Sequence, residues 1–146
     1  MAGRYLIALV AALAFALFAL AEERINQFDV DITVETNGDI VVSETLAVTS
    51  EGYQIRRGIL RILPRYYDDD GAKLPYDYKI MRVTRDGKRE PYSTETEGNG
   101  MTVRIGSADV YLENGRHTYE ITYRVKNQVR YFADHDEIYW NATGNY

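Results

Sequence analysis

Cysteine is absent from this 146-residue chain, and proline, histidine and tryptophan are scarce at three, two and one copies. Without cysteine there is no disulfide framework and no thiol chemistry, and no lipid-accepting Cys follows the N-terminal segment. The two histidines, His117 and His135, leave little room for catalysis or zinc. None of Ser43, Ser50, Ser93 or Ser107 lies in a nucleophile-elbow sequence, so a Ser–His–Asp triad has no support. A zinc site on both histidines is disfavoured because His117 opens a strand and reads as exposed. No glycine-rich phosphate loop is present. A glycosidase needs two opposed carboxylates, but among 22 acids some pair always qualifies by eye, so that signal says little. The sequence therefore leans away from an enzyme.

Residues 1–4 carry one positive charge, residues 5–20 are almost wholly apolar, and Ala19-Leu20-Ala21 offers a small-x-small cleavage site. This is the three-part layout of a secretory signal peptide. A run of roughly 17 residues also sits at the lower limit for spanning a bilayer, so an uncleaved signal anchor is the second reading. Cleavage after Ala21 is favoured, because Glu22-Glu23 follow at once. Either way the rest of the chain is expected outside the cytoplasm. Residues 22–146 hold 16 Lys and Arg against 22 Asp and Glu, a formal charge of −6. That balance argues against nucleic acid or anionic lipid as the main partner. The stretch is long enough for one core, and one domain is expected over 22–146.

Along it the apolar period is two. Phe28, Val30, Ile32 and Val34 alternate with Asp29, Asp31, Thr33 and Glu35, as in an antiparallel sheet with one wet face. Asn37-Gly38 predicts a tight hairpin, and Asp86-Gly87, Asn99-Gly100 and Asn114-Gly115 repeat the signal. Tyr119, Ile121, Tyr123 and Val125 form an inward file, with Glu120, Thr122, Arg124 and Lys126 outward. No amphipathic helix interrupts these strands. The expected fold is all-β: an antiparallel β-sandwich of the immunoglobulin-like kind, with about seven to eight strands after an N-terminal signal helix.

Thirteen tyrosines suit strands, where a broad ring packs and the hydroxyl stays wet. Tyr66, Tyr67 and Tyr76 stand apart because they fall in a predicted loop, so exposed rings for carbohydrate are the functional alternative there. Upstream, Arg56, Arg57, Arg61 and Arg65 crowd ten residues, before Asp68-Asp69-Asp70-Gly71. Guanidinium forks could hold an acidic partner, a phosphate or a carboxylated glycan. The favoured reading is structural: these arginines pair with surplus carboxylates, including Asp134, Asp136 and Glu137. Pro64 should end the strand that begins at Gly58.

The closing run packs Asp134, Asp136 and Glu137, the only tryptophan and an Asn141-Ala142-Thr143 triplet into a dozen residues. Asp134, Asp136 and Glu137, with Asn141 close by, are hard oxygen ligands at a spacing calcium tolerates; Asp68, Asp69 and Asp70 are a looser second set. The same acids read equally as a turn cap facing the arginines, with Trp140 anchoring the core. The sequon is a glycan acceptor only in a glycosylating host.

Five stretches in order then carry a resemblance. They are Glu23-Arg24-Ile25-x-x-Phe28-x-Val30-x-Ile32, Glu51-Gly52 with Ile55-Arg56-Arg57-Gly58-Ile59, Pro64-Arg65, Val83-Thr84-Arg85-Asp86-Gly87, and Asp134-His135-Asp136-Glu137-Ile138-Tyr139-Trp140-Asn141-x-Thr143-Gly144-Asn145. Together they resemble the N-terminal domain of the predicted membrane proteins catalogued as domain of unknown function 2207. The resemblance implies an extracytoplasmic β-sandwich followed by transmembrane helices, and no catalytic residues to carry over. Nothing apolar follows Trp140, so the domain is expected to lack its final strand. Membrane attachment would then come from an uncleaved signal segment or a missing downstream helix.

The resulting expectation is a cell-surface binding, sensing or interaction module, its partner a protein or glycan. Arg56, Arg57, Arg61, Tyr66 and Tyr67 are the candidate binding residues, and calcium at Asp134, Asp136 and Glu137 is the only cofactor considered. The rival is a carbohydrate-active protein or enzyme built on that acidic cluster.

Overall fold

The computed structural model describes residues 22–69 and 71–142; the expected signal helix over 1–21 lies outside them. Twelve strands are described: β1 (Arg24–Val34), β2 (Ile40–Ser50), β3 (Gly58–Pro64), β4 (Tyr66–Asp69), β5 (Ala72–Pro75) and β6 (Tyr78–Arg85), then β7 (Lys88–Arg89), β8 (Tyr92–Glu97), β9 (Gly100–Gly106), β10 (Gly115–Val125), β11 (Val129–Tyr131) and β12 (Asp136–Ile138). Eight of them build two antiparallel sheets, one in the order β1-β2-β10-β6-β7 and one in the order β3-β9-β8. The hairpins β4–β5 and β11–β12 are separate two-stranded ribbons.

Period-two patterning explains the stacking of the sheets. Ile40, Val42, Leu46 and Val48 of β2 and Tyr119, Ile121, Tyr123 and Val125 of β10 turn one file inward, joined by Val83 of β6. They meet Leu63 of β3 with Val103 and Ile105 of β9. Burying a side chain such as Ile121 stabilises by about 1.5–3 kcal/mol. On β1, the edge strand of the larger sheet, the inward file fades: Phe28 and Val30 pack on the core, while Ile32 and Val34 are exposed.

The patterning inverts on β3. Leu60 and Ile62 are each 55% exposed, whereas Arg61 is 3% exposed and points into the core. Its partner is Glu44, fully buried in the otherwise apolar inward file of β2. Arg61 Nε donates to Glu44 Oε2 at 2.7 Å and Nη2 to Oε1 at 2.9 Å, and the Tyr123 hydroxyl donates to Oε1 at 2.6 Å. Burial, then the neighbouring Glu44 charge, hold the Tyr123 hydroxyl far above its ordinary pKa, so it stays a donor.

The turns follow their residues with three differences, the first being that the hairpin expected on Asn99-Gly100 turns on Gly98-Asn99, between paired Glu97 and Gly100. Asp86 and Gly87 both have positive φ, as a type I′ turn requires. At the first hairpin only Gly38 does, and its N–H bonds Glu35 O at 3.0 Å, so that turn ends on one left-handed glycine. Asn114-Gly115 makes no hairpin, because β10 pairs with β2 and β6 and the chain reaches it by crossing from β9 in the other sheet. Pro64 closes β3 as expected.

Strands β2 and β10, eleven residues each, run between the two ends of the sandwich, which at about 3.3 Å per residue lie roughly 33 Å apart. One end collects residue 23, the loops 51–57 and 107–114 and the turn at Asp86. The other collects the Gly38 and Gly98 turns, residues 126–128 and both ribbons.

Candidate functional site

The ribbon end holds a cleft of about 350 Å³ whose lining includes Tyr66, Tyr67, Tyr76, Tyr139, Asn99, Gln128, Arg130 and Asn141. Tyr66 and Tyr67 lie on β4, not in the loop expected from sequence. That strand is pinned to the rim of the sandwich: Arg65 N–H bonds Asn99 O at 2.9 Å, Tyr66 N–H bonds Asn99 Oδ1 at 2.9 Å, and Tyr76 N–H bonds Arg65 O at 2.8 Å. The rings then stack inward. Tyr67 and Tyr76 lie 4.8 Å apart, and Tyr76 meets Trp140 edge-on at 5.5 Å. Trp140 thus packs against the core as expected. Burial first, then Tyr67, push the Tyr76 hydroxyl above its ordinary pKa, so it remains protonated. Tyr139 is 75% exposed, and the Arg130 guanidinium lies 5.9 Å from the Tyr67 ring centre. The cleft thus combines tyrosine rings with side-chain amides, Asp68 and Arg130.

The arginines separate. Arg61 is buried on Glu44 and is a core residue, not a surface binding residue. Arg65 donates to Gly98 O and to the Tyr66 hydroxyl at the ribbon end. Arg56 and Arg57 lie at the opposite end, where Arg57 stacks 4.4 Å over Tyr111 and bonds its hydroxyl at 2.6 Å. The loop carrying them is tied to residues 107–114 by Leu112 N–H on Arg56 O at 3.0 Å. With Arg104 they line a groove of about 470 Å³ that contains no carboxylate. Among the described residues no carboxylate pairs with Arg56, Arg57 or Arg65, which corrects the pairing expected from sequence.

The acidic run does not face them. Asp134 sits in the turn between β11 and β12, 86% exposed at its side chain, and bonds His135 at 2.8 Å. Asp136 lies opposite Tyr131 and Glu137 opposite Arg130. Consecutive residues on a strand point to opposite faces, so Asp136 and Glu137 cannot converge on one ion. Among the described residues no group of three or more His, Asp or Glu side chains is gathered to hold a metal. Of the second acidic set, Asp68 and Asp69 end β4, with Gly71 N–H donating to Asp68 Oδ1 at 2.9 Å, and Asp70 lies outside the described residues.

Two charged sites were missed. Glu23 is held by four backbone N–H groups, those of Glu51, Tyr53, Gln54 and Ile55, at up to 3.2 Å. Burial works against its charge, but those four donors win and bring its pKa to about 2. His117, expected to be exposed, has a side chain only 11% exposed. Its Nδ1 lies 2.8 Å from Asp86 Oδ2 and its Nε2 2.8 Å from Glu113 O. Both contacts are acceptors, so the doubly protonated ring satisfies both; burial opposes that charge, and the two bonds outweigh it and raise the pKa. Glu44 did leave a signal, a carboxylate in the middle of an apolar period-two file. Glu23 left none, since its partners are backbone.

A family profile described as the N-terminal domain of predicted membrane protein, domain of unknown function 2207, matches residues 24–146. An uncharacterized protein of Escherichia coli (strain K12), YciQ, is 35% identical over 126 residues, covering 86% of this chain and 20% of that protein. The chain thus spans about a fifth of that relative's length. No solved structure matches it.

Proposed function

We propose, from the premise that the chain belongs to the predicted membrane protein family of unknown function 2207 through its N-terminal domain, that it is an extracytoplasmic glycan-recognition module. The observation that carries this reading is the cleft at the ribbon end. Tyr66, Tyr67, Tyr76 and Tyr139 line it together with Asn99, Gln128 and Asn141. Sugars present apolar C–H faces edged by hydroxyls. Tyrosine rings match the faces, while Asp68, Asn141 and Arg130 match the hydroxyls. A volume of about 350 Å³ accommodates one or two sugar rings rather than a protein surface. Recognition, not turnover, is the role this arrangement supports, since the acids of the closing run diverge across a strand.

A glycan array probed with the purified chain tests the reading. Binding should fall at least tenfold in Tyr67→Ala with Tyr139→Ala, while Tyr139→Ala alone leaves the melting temperature unchanged because its ring is exposed. Undiminished binding by the double variant, or no glycan bound by the wild-type chain, overturns it.

A further inference from the structure

At the end of the sandwich remote from the tyrosine cleft, exposed rings and arginines gather where the chain leaves its apolar N-terminal run. Tyr53 is 78% exposed, Tyr111 60% and Val110 52%, all on the two loops that frame the groove of Arg56, Arg57 and Arg104. The groove's lining has three arginines and no acid, although the domain as a whole is acidic. Glu51, Asp109 and Glu113 share these loops but do not line it. The tether is the decisive part. Residues 5–20 are apolar, and Glu23, three residues later, is fastened by four backbone amides to the same loop that carries Tyr53, Arg56 and Arg57. Three residues span at most about 11 Å. Where the apolar run is retained as a signal anchor, the membrane that takes it up lies within reach of this end.

We infer that this end is a membrane-docking face whose occupant is the headgroup layer of an anionic bilayer. Tyr53, Val110 and Tyr111 seat at the water–lipid interface, where amphipathic rings are favoured, and Arg56, Arg57 and Arg104 meet lipid phosphates. Attraction between basic groups and an anionic surface acts within a Debye length, roughly 8–10 Å, so the groove's arginines respond to it although the domain as a whole is acidic. Tyr111 serves twice, since it also holds the Arg57 guanidinium in place from beneath. Glu23 sets the spacing: by filling its own amide cradle it keeps a carboxylate away from the lipid phosphates and fixes the loop's height.

The absence of cysteine makes the test clean. The full chain, residues 1–146, is reconstituted in vesicles with an environment-sensitive fluorophore at Tyr53→Cys, Val110→Cys or, at the far end, Thr96→Cys. Headgroup nitroxide lipids should quench the probes at 53 and 110 several-fold more than the probe at 96. The difference should shrink in purely zwitterionic vesicles and in Arg56→Gln with Arg57→Gln. Equal quenching at all three positions overturns the proposal. So does an identical probe response to inorganic phosphate without vesicles, which would assign the groove to free phosphate. Glycan binding at the cleft is read separately and is untouched by either result.

Discussion

The two ends of this sandwich order their loops by different physics. At the Glu23 end, charges are satisfied by backbone: one carboxylate fills a cradle of four amides, and one imidazolium bridges Asp86 and the Glu113 carbonyl. At the cleft end, rings stack on rings, from Tyr67 through Tyr76 to Trp140 and Tyr123. Charge-to-backbone contacts hold a loop with few residues, but only while the charge persists. Aromatic stacking needs more side chains and is indifferent to pH across the physiological range. The same strands thus present one end whose order depends on protonation and one whose order does not.

The harshest test removes what both ends share. Arg61→Ala leaves Glu44 buried without its cation and should cost about 3–5 kcal/mol in urea unfolding. Because Arg61 also donates to Ala142 O, that loss should reach the closing segment beside Trp140 as well as the sheets. Replacing both partners together, Glu44→Met with Arg61→Leu, should restore much of the stability, which separates the cost of an orphaned charge from the worth of the pair.

A gentler test splits the ends. The pKa of Glu23 is lowered on folding, so its contribution is present above the ordinary value of 4.5 and is lost as pH falls toward 2. That of His117 is raised, so its contribution is present below 6.5 and is lost as pH rises through the folded value. Intrinsic-rate-corrected amide exchange of residues 51–55 and 107–114 should be slowest between these limits and quicken on both sides. Amides of 99 and 128 at the cleft end should show no such window. Glu23→Gln should abolish the acid limb alone; loss of protection at both ends together would dissolve the contrast.

The smallest effect belongs to the acidic hairpin. Asp136→Asn should change stability by no more than about 0.5 kcal/mol, as an exposed position with no ion pair among the described residues does. Calcium should leave the melting temperature where it was, because the strand sends Asp136 and Glu137 to opposite faces. A calcium-dependent rise in melting temperature that Asp136→Asn removes would show that this hairpin rearranges around an ion.

Much of the fold was legible because period two is a local property. The inward files of β2 and β10, the Pro64 stop and the Asp86-Gly87 turn are each written in a few consecutive residues. Strand β3 departs from that local rule: Leu60 and Ile62 face outward and Arg61 is inside, since the sheet opposite supplies a buried Glu44. Of the candidate site, Tyr66 and Tyr67 were visible as aromatics outside the alternation. Tyr139 and Asn141 reach the same cleft because Trp140 between them packs against Tyr76, Tyr78 and Tyr123. The arginines and acids, close in charge logic, were assigned to one another although an entire strand length separates Arg56 and Arg57 from the closing hairpin.

Sequence by itself determined that residues 22–142 are built from strands and that an apolar run precedes them, since periodicity, turn residues and composition act over a few positions. Tertiary structure alone decided which charges meet, because pairing depends on where strands cross. It buried Arg61 on Glu44, gave Glu23 to the backbone, sent the arginine loop and the acidic hairpin to opposite ends, and gathered four tyrosines separated by up to 73 positions into one cleft.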